Sequence, residues 1–68
     1  MSNTCMTPEM LEAIKDSIQK EQASYDFYTD AAAKVKTQNL KELFTELAEE
    51  ELGHRTFLEK VLEEETFS

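Results

Sequence analysis

From Pro8 to about Glu64 the sequence offers only one place for the backbone to turn. The single proline stands at the head of this run, the single glycine lies inside a helix-forming stretch, and only residues 36–39 interrupt the helical pattern. Such a chain makes two long helices joined by one tight connection. Thr7 is placed to cap the first helix, with Pro8 at its first position and Glu9 complementing the helix dipole. The run onward to Lys36 is rich in Ala, Glu, Lys and Gln, all good helix formers. Asn39, followed three residues later by Glu42, predicts the cap of a second helix that ends near Glu64. Residues 1–7 are expected to be disordered and 66–68 to fray, which leaves 8–65 as one domain.

The apolar periodicity says how these helices pack. Alternating steps of three and four select Leu11, Ile14, Ile18, Glu21, Tyr25, Tyr28, Ala32 and Val35 in the first helix. In the second they select Leu40, Phe44, Leu47, Glu51, His54, Leu58 and Val61, with Leu43, Ala48, Phe57 and Leu62 widening the stripe. So short a turn makes the helices antiparallel neighbours, and so wide a stripe asks for more than one neighbour per helix. The expected fold is all-α: a two-helix hairpin that dimerises into a four-helix bundle. With 68 residues and one cysteine, Cys5, the chain cannot staple itself with an intramolecular disulfide. Partner chains, metal or both are the remaining supports.

Glu21, Glu51 and His54 are the polar exceptions in the two stripes. A charged group in an apolar seam costs several kcal/mol unless it is paired, hydrogen-bonded or metal-bound. Counted from the turn, all three lie at one level, roughly 20–25 Å away along the helices. That level is also the mid-height of each helix, so a two-fold axis through the bundle centre would bring both copies together as four Glu and two His. Glu51 and His54 form a Glu-x-x-His pattern, which projects both side chains from one helical face about one turn apart. Four carboxylates are balanced by two divalent ions. Oxygen and imidazole donors suit iron, with manganese as the alternative. The expected arrangement has Glu51 bridging, Glu21 terminal and His54 ligating through one ring nitrogen. Tyr25 and Tyr28 follow Glu21 on the same stripe, where their hydroxyls can support a ligating carboxylate or fill the core.

A net charge of −8 repels phosphate backbones and anionic lipid headgroups, so neither nucleic acid nor a membrane surface is an expected partner. The N-terminus has no basic start followed by an apolar run, and a cytoplasmic location is the default expectation.

Two stretches carry a family resemblance: Lys20-Glu21-Gln22-Ala23-Ser24-Tyr25-Asp26-Phe27-Tyr28 and Leu43-Phe44-Thr45-Glu46-Leu47-Ala48-Glu49-Glu50-Glu51-Leu52-Gly53-His54. Over about residues 9–64 the chain resembles one half of a rubrerythrin domain of the ferritin-like superfamily. Such domains take one Glu from each of two helices and Glu-x-x-His from each of the other two. The resemblance implies that Glu21, Glu51 and His54 ligate iron and serve as the catalytic set. With a single half domain in the chain, it is also similar to the short encapsulated ferritins, which complete a di-iron site across a dimer interface. The end of the chain, Glu65-Thr66-Phe67-Ser68, shows no encapsulation tail. One cysteine cannot build the rubredoxin centre of rubrerythrins proper, so a peroxidase role calls for an external reductant. The expected function is ferrous iron oxidation by oxygen or peroxide. The alternatives are an iron-handling module without turnover, or a structural hairpin in which the three polar residues set dimer register.

Overall fold

The computed structural model of the chain describes residues 7–67; Cys5 and the segment expected to be disordered before Thr7 lie outside them. Helix α1 spans Pro8–Lys34 and helix α2 spans Gln38–Phe67. The two lie side by side and antiparallel, since Tyr28 late in α1 meets Phe44 early in α2, and Gln22 meets Arg55. No helix among the described residues is long and apolar enough to cross a membrane.

α1 begins as the sequence predicts. The Thr7 hydroxyl accepts from the Met10 amide at 3.2 Å, Pro8 occupies the first turn and Glu9 faces the positive end of the dipole. It stops at Lys34, two residues earlier than expected. Val35 leaves the helix in an extended conformation, φ −73° and ψ 158°, while its amide still closes on the Ala31 carbonyl at 3.0 Å. The neighbouring orphan carbonyl, that of Ala32, accepts from Lys41 Nζ at 3.4 Å. No described residue has a positive φ, so the connection needs no glycine.

Thr37, rather than Asn39, caps α2. Its hydroxyl accepts from the Leu40 amide at 3.3 Å, and its carbonyl accepts from the Lys41 amide at 3.1 Å. Both residue types cap well, but starting at Thr37 gives α2 two more residues of helical hydrogen bonding and still leaves three residues to reverse the chain. Glu42 is engaged by Gln38, whose Nε2 donates to it at 3.2 Å. At its other end α2 continues past the expected limit near Glu64 to Phe67, because no glycine or proline after Gly53 stops it.

The hairpin is a rod. Its extents are 54 × 15 × 12 Å and its radius of gyration is 15.6 Å, against about 11 Å for a compact globule of this length. Two helices share one line of contact, so Ala48, 5% exposed, is the only described residue that is buried, and none is wholly enclosed. Phe44, Ala48 and Arg55 mark the line along which α2 meets α1. At ~100° per residue, Leu43, Leu47 and His54 are rotated about a quarter-turn from it, onto one flank. Leu40, Leu43 and Phe57 on α2 and Phe27 on α1 are all substantially exposed. The apolar stripe is therefore wider than the hairpin can cover.

Gly53 is exposed, and a Cβ built on it meets nothing within 4 Å. Within the hairpin it serves no close approach. Gly53→Ala is expected to stabilise the protein by about 0.5–1 kcal/mol through helix propensity alone, measured by urea unfolding. Destabilisation would mean instead that a neighbouring chain packs against this position.

Candidate metal centre

Glu21 projects from the middle of α1, and Glu51 and His54 from the middle of α2, one turn apart. One donor atom from each lies within 4.8 Å of the other two. His54 Nδ1 is 3.6 Å from Glu21 Oε1 and 3.6 Å from Glu51 Oε1, so the imidazole stands between the two carboxylates. The carboxylates are largely sheltered, at 26% and 23% side-chain exposure, whereas His54 is 63% exposed and opens toward the uncovered flank.

Crowding two carboxyl groups has an electrostatic consequence. The Glu51 carboxyl is held above its ordinary range, first by its hydrogen bond with Glu21, then by partial burial and the charge of Glu21. His54 pulls in the opposite direction without cancelling these effects. A cation placed between the two carboxylates would relieve the same repulsion.

The aromatic residues near the site divide between the two sides of the hairpin. Tyr28 stacks on Phe44 with ring centroids 6.1 Å apart and meets Phe27 edge-on at 5.5 Å, which makes it part of the apolar packing between the helices. Tyr25 lines a cavity of about 210 Å³ with Thr29, Ala32, Thr45, Ala48 and Glu49. Among the described residues neither hydroxyl hydrogen-bonds to Glu21 or Glu51.

Next to two of the ligand candidates, Glu21 and His54, stands a residue that the stripe pattern passes over. Arg55 Nη1 donates to Gln22 Oε1 across the helices. Both positions lie outside the three-and-four pattern, and the signal that points to them is adjacency: each directly follows a site residue in the chain.

A family model described as Rubrerythrin matches residues 12–67, a span that includes most of α1, all of α2 and all three candidate ligands. The chain belongs to the rubrerythrin family. No curated protein and no solved structure matches it. Rubrerythrins generally bind iron, and the Glu21, Glu51 and His54 cluster has the donor chemistry that iron takes: two carboxylates and one imidazole. The donor set fits the group. One rubrerythrin-like hairpin nevertheless presents only three such residues at this level, half the complement of a two-metal carboxylate centre.

Proposed function

We propose that two copies of the hairpin pair through their apolar flanks into a four-helix bundle, gather two sets of Glu21, Glu51 and His54 around iron, and oxidise ferrous iron with oxygen or peroxide. The observation that carries this reading is the convergence of those three donors within 4.8 Å at the edge of an uncovered apolar flank. Glu21 and Glu51 would supply the negative charge that draws in and holds divalent iron. His54, open toward the flank, would donate a ring nitrogen from the side a second copy would cover. Iron bound there would supply one-electron redox change and Lewis acidity. Leu43 and Leu47 from the flank would exclude water around the carboxylates, which strengthens every charge interaction among them. Turnover as a peroxidase would draw on an external reductant. A cytoplasmic location agrees with a ferrous substrate and is part of the proposal.

Oxygen consumption on adding ferrous iron tests the chemistry. Wild-type protein is expected to consume oxygen well above the buffer rate, and Glu51→Ala to lose at least ~100-fold of that excess, since even residues that only support a metal ligand contribute 10–100-fold. Equal rates for the two proteins would remove the enzymatic reading. Wild-type binding without oxygen consumption would leave an iron-handling module.

A further inference from the structure

The residues sheltered between α1 and α2 are mostly aliphatic or aromatic, and apolar contacts are non-directional. A slip of one residue moves one helix ~1.5 Å along the other, enough to spoil a metal site. The connection fixes the register close to itself, where Lys41 reaches the Ala32 carbonyl. The candidate ligands, however, lie roughly 20 Å further along the helices.

At that distant level, beside the contact between Glu21 and Glu51, Arg55 Nη1 donates across the helices to Gln22 Oε1. Gln22 is oriented by a second bond, its Nε2 donating to Asp26 Oδ1 at 2.9 Å. Arg55 is 28% exposed and lies 3.7 Å from Glu59 through Nε, an ion pair too long to satisfy that buried donor as a hydrogen bond. The hydrogen bond to Gln22 on the opposite helix therefore does the holding, with the Glu59 carboxylate nearby on its own helix. Gln22 and Arg55 each follow a candidate ligand by one residue, a rotation of ~100° on its helix. The Glu21–His54 and Gln22–Arg55 contacts thus stand side by side across the same stretch of the interface.

We propose that Arg55 and Gln22 form a clasp that sets the axial register of α1 against α2 and so holds Glu21 level with Glu51 and His54. Arg55 is a positioning residue in this scheme, and its importance for metal rests on the functional reading above. The planar guanidinium suits the task, because its donors are fixed in direction while an apolar side chain of similar length would permit sliding.

Three variants test it with two readouts. Arg55→Leu and Gln22→Leu are expected to keep wild-type helix content but bind cobalt(II) at least ~10-fold more weakly, with a changed ligand-field spectrum. Gln22→Glu, whose carboxylate still accepts from Arg55 but gives up the bond to Asp26, is expected to bind cobalt more tightly than Gln22→Leu and to bring the spectrum back toward wild type. In metal-free protein, NOEs linking the two helices on the side of the clasp away from the connection should shift or average out in the leucine variants. Wild-type NOEs in Arg55→Leu would overturn the clasp whether or not metal binds. If wild-type protein binds no cobalt, the metal reading fails and the NOE comparison still decides the clasp. If Arg55→Leu does not fold, Gln22→Leu decides it, since that variant leaves the arginine in place.

Discussion

Ferrous iron at ~100 times its dissociation constant is expected to raise the thermal midpoint of the protein by roughly 10–20 °C. A ligand that binds only the folded state contributes ~2.7 kcal/mol at that excess, and each kcal/mol moves a domain of this size by ~4–8 °C. The size of the effect follows from how little else supports the fold, since Ala48 is the only described residue buried within one hairpin. His54→Ala is expected to abolish the shift. Calorimetry under anaerobic conditions measures it, and an unchanged midpoint in wild-type protein would end the metal reading.

The shift should also depend on pH in a defined direction. Glu21, partial burial and the neighbouring charge raise the Glu51 carboxyl above its ordinary value in the folded chain. A group raised in this way contributes stability that is present below its unfolded pKa and is lost as pH rises through the folded pKa. Metal-free protein therefore loses this contribution on passing upward through the carboxylate range, while the metal needs the deprotonated form. The iron-induced shift should be small at acidic pH and grow toward neutrality. A shift that grows on acidification would contradict the carboxylate site.

The three-and-four spacing of Leu11, Ile14, Ile18 and their successors makes two helices legible in the sequence, because a 3.6-residue period has one structural meaning when it persists for about six or seven turns. Glu21, Glu51 and His54 are legible for the opposite reason: they break that pattern at one level. The division of the second stripe was not. Phe44 and Ala48 face α1, while Leu43 and His54 turn onto the open flank, yet both groups carry the same apolar signal in the sequence. Spacing cannot say which part of a wide stripe meets which neighbour. Nor could it choose between Thr37 and Asn39 as caps, since the two residue types are nearly equivalent locally and total helix length decided. Gln22 and Arg55 escaped because polar residues beside a stripe are ordinarily solvated, and only the partner helix shows otherwise.

That open flank yields the second large prediction. Leu43 is 46% exposed in the hairpin, so Leu43→Lys costs the isolated hairpin little. In a bundle the same position would turn toward the second copy, beside His54 and Phe57, and a lysine there would carry its charge into an apolar interface. An unpaired buried charge costs at least several kcal/mol, and ~3 kcal/mol already weakens association by more than ~100-fold. Leu43→Lys should therefore sediment as a monomer at concentrations where wild type sediments as a dimer, and should lose iron binding in the same step, because one hairpin would hold only half of the ligand set. Thr45→Lys, an exposed position on the opposite side of α2, should change neither property. If Leu43→Lys remains dimeric, the flank is not the interface. If it becomes monomeric and still binds iron as tightly as wild type, then Glu21, Glu51 and His54 of one hairpin suffice, and the shared two-chain centre is wrong even though the dimer is right.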